Sequence, residues 1–287
     1  MTATATKHSP GSSAFGAAAP QRQTPAAAAV RLFDAAGPRK PLHLDGRAHP
    51  IEVGTAGPAL AVARGAQRMQ FPLARLSRVL VRGRVRWDGE ALALCLRQRV
   101  PVVFLDSRAQ PIGAALALQA QPGALDELLS DFVERPDWRI CYENWLRSQR
   151  LTILLRWRRQ RAALGKPLAR TEWNDAVRTN VYVPQFAVPG PEAGAAYGLS
   201  LAVLARVGVR SQYRAFDGDV LALGADLGRL LDLFICTQAG TLSSHFDGHE
   251  RLRARAFEAR AAEHESFVLT LLGRLRRRLG EWIEPWP

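Results

Sequence analysis

Between residues 41 and 113 the apolar positions come in short runs broken by Gly and Pro, the punctuation of strands and turns. Residues 43–44, 50–53, 58–63 and 68–71 read as brief strands. The Asp45-Gly46 pair between the first two predicts a hairpin turn. Residues 79–81 and 83–86 continue the pattern, and 100–105 form a β-rich run ended by Asp106-Ser107-Arg108. One stretch breaks it. From Trp87 to Arg97 the apolar residues recur at helical spacing, with Asp88 placed to cap the first turn. This region is expected to be a small, sandwich-like β domain with one embedded helix.

From residue 122 onward the period is helical. Residues 125–133 predict a short helix. Residues 137–164 predict a long, basic one that stops at Gly165-Lys166-Pro167. A further helix is expected over 171–179, opened by Thr171 as cap, then a Pro-containing loop over 183–194. Residues 195–207 are apolar and stopped by Gly208, Asp217-Gly218-Asp219 is a turn, 221–236 are helical, and 251–282 form one or two amphipathic helices. The fold class is therefore α+β: a tail over 1–38, the β domain over 39–118, and a larger all-α domain over 119–287. The tail is rich in Ala, Ser, Thr, Pro and Gly and cannot bury enough surface to offset chain entropy.

Charge narrows the function. The 287-residue chain has 39 Lys+Arg against 26 Asp+Glu, a formal net charge of +13. Only Lys7, Lys40 and Lys166 are lysines, so the cations are almost all Arg, the side chain that forks onto phosphate oxygens. A polyanion, most simply nucleic acid, is the expected partner. Three dispersed cysteines, Cys95, Cys141 and Cys236, suggest reduced thiols in a cytoplasmic protein and no zinc knuckle. No apolar run reaches the ~20 residues of a membrane span, and the N-terminus lacks the layout of a secretory signal. P-loop, G-x-S-x-G and Rossmann glycine patterns are absent, which argues against a nucleotide-driven motor or a serine hydrolase.

Residues 76–87, Leu-Ser-Arg-Val-Leu-Val-Arg-Gly-Arg-Val-Arg-Trp, followed by Glu90-Ala91-Leu92 and Pro101-Val102-Val103-Phe104-Leu105-Asp106, resemble the CRISPR-associated integrase family. Pro41-Leu42-His43-Leu44, Pro58-Ala59-Leu60 and Phe71-Pro72-Leu73 look like the same domain's opening strands. The resemblance implies a β domain that makes a homodimer, a helical domain, and a small partner subunit of the adaptation complex. It implies insertion of captured double-stranded DNA into a repeat array, by attack of a 3′ hydroxyl on a phosphate. That chemistry uses Mg²⁺ or Mn²⁺, held in the family by one Glu, one His and one Asp.

Carried over residue by residue, the likeness is incomplete. Leu223-Gly224-Ala225-Asp226-Leu227 resembles the segment whose Asp binds metal, so Asp226 is the candidate ligand and catalytic anchor. No His occupies the stretch that precedes it; Asp217 or Asp219 stand there, as oxygen donors or as a solvent-facing turn. The family's Glu segment is missing. Glu143 and Glu172 are weak stand-ins, each more simply read as a helix-surface charge. The family's Pro-X-Asp-Pro-X-Asn stretch is absent as well. His245 and His249 resemble a metal pair, but Gly248 between them favours a polar turn.

Arg147, Arg150, Arg158 and Arg161 fall on one face of the long basic helix, with Trp145 and Trp157 interleaved, and Arg274 and Arg277 cluster near the end of the chain. Side chains of this kind bind phosphates without reading sequence. Two functions remain open: a metal-dependent DNA endonuclease and integrase of CRISPR adaptation, or a family member without metal chemistry that acts as a dimeric DNA-binding scaffold or regulatory subunit.

Overall fold

The strand-forming residues pair into one six-stranded sheet in a computed structural model of the chain. The structure describes residues 39–117, 123–184, 189–190, 192–238 and 250–283. The N-terminal tail and the His245–His249 motif lie outside these residues. The strands are β1 (Lys40–Ala56), β2 (Ala59–Arg64), β3 (Gln67–Pro72), β4 (Leu76–Trp87), β5 (Val102–Leu105) and β6 (Pro111–Ala115), in the order β3-β2-β1-β4-β5-β6. β1–β4 and β4–β5 are parallel, and the other pairs are antiparallel.

The expected hairpin at Asp45-Gly46 does not form. β1 runs on through it, and both of its halves pair with β4: Leu44 lies beside Val81, and Val53 beside Trp87. The register shifts between Gly46 and Ile51. Gly83 faces this point on β4 with φ +76°, and a Cβ there would come within 2.7 Å of the Arg47 amide nitrogen. A side chain at Gly46 would likewise lie 2.3 Å from the Arg84 carbonyl oxygen. The two glycines let the backbones of β1 and β4 approach closely where the register shifts, a bulge that bends strands. Leu42, Val79 and Val102 from one half, and Val53, Leu60 and Val62 from the other, close a single apolar cluster. This is the sandwich-like β region. Its embedded helix, α1 (Gly89–Arg97), starts where Asp88 accepts the Glu90 amide at 3.3 Å, and it buries Ala91 and Cys95 in the same cluster.

The remaining described residues are mostly helical: α2 (Ala124–Val133), α3 (Trp138–Ala163), α4 (Arg170–Val177), α5 (Ala193–Val207), α6 (Leu223–Gln238), α7 (Glu250–Ala259) and α8 (Ala261–Ile283). A two-stranded ribbon, β7 (Tyr213–Arg214) with β8 (Val220–Leu221), carries the Asp217-Gly218-Asp219 turn. α4 begins at Arg170 without Thr171 as cap; instead the Glu172 carboxylate accepts the Ala169 amide at 2.9 Å.

α5 is apolar nearly all round and occupies the centre. On one side Gly198 meets β4, where a Cβ would stand 2.8 Å from the Leu80 side chain. On the other, Gly228 of α6 lies so close that a Cβ would be 2.9 Å from the Tyr197 Cα. Leu80 and Val103 thereby join the large core formed by Leu129, Phe132, Leu201, Leu230 and Leu275.

Alternation on β4 explains a second link between sheet and helices. Val79 and Val81 face the sheet cluster, so Arg78 and Leu80 face the helices. Arg78 is 1% exposed, donates to Glu258 of α7, and sits 5.8 Å from the centre of the Phe257 ring. Asp126 of α2 makes a comparable tie. It accepts from the Tyr213 hydroxyl at 2.5 Å and the Arg210 amide at 2.8 Å. Burial alone would raise its pKa, but the Tyr213 and Arg210 hydrogen bonds hold it below the usual carboxylate range.

Candidate nucleic-acid interface

α3 has two unlike faces because its apolar residues recur at helical spacing. Tyr142, Leu146, Ile153 and Trp157 are buried, while Glu143, Arg147 and Arg158 face outward. The first turn of α6 packs against α3 and places Asp226 beside Tyr142. The turn of the β7–β8 ribbon closes the third side. Together they line a cleft of about 470 Å³ that holds Arg139, Arg147, Arg150 and Arg229 with Glu143, Asp219 and Asp226.

Each carboxylate in the cleft already has a cation. Asp219 pairs with Arg139, Glu143 with Arg147 at 3.6 Å, and Asp226 with Arg229 at 3.4 Å. Asp226 is the most buried of the three; its Oδ2 also accepts from the Tyr142 hydroxyl at 3.2 Å. Burial raises its pKa, with Arg229, Tyr142 and Arg150 pulling the other way. Burial, reinforced by the Asp226 charge, pushes the Tyr142 hydroxyl well above the ordinary tyrosine value. Tyr142 is therefore a donor here and not a base.

Arg150 differs from its neighbours. It is half-buried, and no hydrogen bond or ion pair to another described residue satisfies its guanidinium. Burial lowers its pKa, opposed by the Asp226 charge. With Arg229 it also lines an adjoining cavity of about 690 Å³ between β6, α5 and α6, where Asp232 is buried.

The other candidate residues lie elsewhere. Asp217 is exposed at the tip of the ribbon, where its carboxylate accepts the Asp219 amide at 3.0 Å. Glu172 caps α4 and does not line the cleft. Arg158 lies over the Trp173 ring at 5.0 Å, and Arg161 donates to the Lys166 carbonyl at 3.0 Å, so both tie α3 to the segment that follows it. Arg274 donates to Gln149 at 3.0 Å and, with Arg277 and Arg278, lines a separate groove of about 570 Å³ between α3 and α8. The structure thus gathers Asp226, Asp219, Glu143, Arg147 and Arg150, and not the rest. Sequence reasoning passed over Arg229 and Tyr142. Arg229 had a local signal, the i,i+3 spacing from Asp226; Tyr142, 84 residues away, had none.

The donor set does not fit the Mg²⁺ or Mn²⁺ that the resemblance implies. These ions take several oxygen ligands together. Among the described residues, no group of three His, Cys, Asp or Glu side chains is placed to hold a metal ion. Asp226 has a tyrosine hydroxyl and a guanidinium on its two oxygens, and the surrounding cations oppose a divalent ion. Also among the described residues, no helix is long and apolar enough to cross a membrane.

Comparison with known proteins extends this picture. A family model described as "CRISPR associated protein Cas1" matches residues 49–128. No curated protein matches the sequence. Among solved structures, a CAS1 protein from Thermotoga maritima superposes with a TM-score of 0.60 at 13% identity, covering 84% of this chain and 96% of that one. A structure of TtCas1 gives 0.51 at 14% identity, covering 85% and 98%. A casposase bound to integration product gives 0.51 at 14% identity, covering 86% and 92%. The family-model match spans residues 49–128, and the likeness to these solved structures, a Cas1-like α+β fold, runs on through the helices.

Proposed function

We propose that this chain acts in CRISPR adaptation, in the complex that inserts captured DNA into a repeat array, and that its part is to hold double-stranded DNA as a dimeric scaffold. The observation that carries this reading is the cleft, where four arginines meet three already paired carboxylates on a chain of net charge +13. Arg147 and Arg150 contact phosphates along α3, and Arg274 and Arg277 offer a second cationic groove on the other side of that helix. Likeness in fold to a casposase bound to integration product supports a nucleic-acid ligand. The exposed edge strand β3 supports self-pairing through the sheet, and a small adaptation subunit completes the complex.

The second reading is a metal-dependent integrase anchored on Asp226. It is favoured by the position of that carboxylate, lining the cleft and in the segment that resembles the family's metal-binding one. One pair of assays separates the two. Fluorescence anisotropy with branched DNA, from 50 to 200 mM salt, reads binding. Incorporation of a labelled fragment into a repeat-bearing plasmid, with Mg²⁺ or Mn²⁺, reads chemistry. The scaffold reading expects salt-sensitive binding in wild type and Asp226→Ala alike, and no Asp226-dependent product. A product that disappears in Asp226→Ala establishes the second reading. Absence of DNA binding removes both.

A further inference from the structure

We propose that the cleft beside Asp226 is a phosphate site: a nucleic-acid phosphate seats on Arg150 and Arg229, directly and without a divalent ion. This deepens the functional reading above and rests on it.

Three observations converge. First, the charges in the cleft leave one cation over. Arg139, Arg147 and Arg229 each pair with a carboxylate, and Arg150 does not. Second, Arg150 is half-buried without a hydrogen-bonding partner among the described residues. A guanidinium drawn out of water with its donors unsatisfied is costly, and an oxyanion answers both its charge and its fork of N–H groups. Third, Arg150 and Arg229 are shared between the cleft and the neighbouring cavity of about 690 Å³. A phosphate at that junction leaves room on either side for the nucleosides it joins.

Asp226 has a different role in this arrangement. It accepts from Tyr142 and pairs with Arg229, which holds the guanidinium of Arg229 at the mouth of the junction. It is a positioning residue and does not touch the phosphate. A carboxylate next to a phosphate site repels the ligand, so its neutral amide isostere is expected to be tolerated by binding.

The test uses the full chain in four titrations: MnCl₂ alone, inorganic phosphate, and a short duplex with and without a 5′ phosphate, the last three in EDTA. Arg150→Gln, Asp226→Asn and the distant surface variant Arg97→Gln are compared with wild type, each with a circular-dichroism melt. Expected results are saturable DNA binding in EDTA and a loss of roughly tenfold in Arg150→Gln, with the salt slope reduced by about one. Asp226→Asn, which loses the repulsive charge together with the ion pair to Arg229, is expected to retain saturable DNA binding in EDTA, and Arg97→Gln to match wild type. Dependence on the 5′ phosphate assigns the site to a strand end, and independence assigns it to a backbone phosphodiester; both support the proposal. Inorganic phosphate that binds through Arg150, with no binding of either duplex, overturns the nucleic-acid assignment and the functional reading while leaving a free-phosphate site. Two results overturn the proposal alone: saturable Mn²⁺ binding that is lost in Asp226→Asn, or wild-type DNA affinity in a folded Arg150→Gln.

Discussion

Arg78 and Arg150 are both withdrawn from water, yet the molecule treats them oppositely. Arg78 lies between β4 and the helices, donates to Glu258 and rests near the Phe257 ring. Arg150 opens onto a cleft, and no described carboxylate bonds to it. A buried ion pair adds little against a well-packed apolar alternative, but it is destabilising to break. A cation at a cleft with no hydrogen-bonding partner among the described residues is the converse: its removal is expected to cost the fold little. The same residue type therefore ties two elements together in one place and faces an open cleft in the other, and the partner separates the two.

The contrast can be broken by mutation. Arg78→Ala leaves a void and takes from Glu258 its buried partner, with His43 remaining at 3.7 Å, so a loss of about 3 kcal/mol is expected in urea unfolding. Arg78→Met with Glu258→Leu should recover most of it; a single variant as stable as wild type would remove the structural role of Arg78. Asp232 tests a buried carboxyl whose hydrogen-bond partner among the described residues is an amide. Its Oδ2 accepts from Gly190 at 2.7 Å, and burial raises its pKa from 3.8 to about 6. The folded state thus holds a proton that the unfolded state releases between these values, and stability falls as pH rises through 4–6. Asp232→Asn should gain roughly 2 kcal/mol at pH 8, and that gain should vanish toward pH 4. A pH-independent difference in urea midpoint would contradict the assignment.

Smaller effects sharpen the comparison. Glu172→Ala removes the carboxylate that accepts the Ala169 amide and should cost about 0.5–1 kcal/mol, with DNA affinity unchanged. A drop in affinity instead would place Glu172 in the interface. Arg150→Met should remain within about 0.5 kcal/mol of wild-type stability while its DNA binding weakens. A large destabilisation would show that Arg150, like Arg78, holds the fold together.

What could be read from the sequence was what is decided locally. The cap of α1 at Asp88 and the stop of α5 at Gly208, where φ is +72°, depend on neighbours in the chain. The turn expected at Asp45-Gly46 failed because a distant segment decides it. Gly46 is needed for close approach to the Arg84 backbone, and parallel pairing with β4 keeps β1 extended. β6 gave little local signal, and its place is set by pairing with β5. Asp226 was legible from its surrounding segment. The company it keeps was not, because Tyr142 reaches it only once α3 and α6 have packed. Asp126 is hidden for the same reason, since its partners Arg210 and Tyr213 arrive from over 80 residues away. Arginines used inside the protein, such as Arg158 over Trp173, cannot be told by composition from those left for a ligand.

The tight seating of α5 has a mechanical consequence. Gly198 against Leu80 and Gly228 against Tyr197 leave no slack between the sheet, α5 and the helix that carries Asp226 and Arg229. Dense interiors transmit displacement instead of absorbing it. A side chain added at Gly198 or Gly228 would therefore have to move β4 or α5 itself, which couples the placement of Asp226 and Arg229 to the seating of α5 on the sheet.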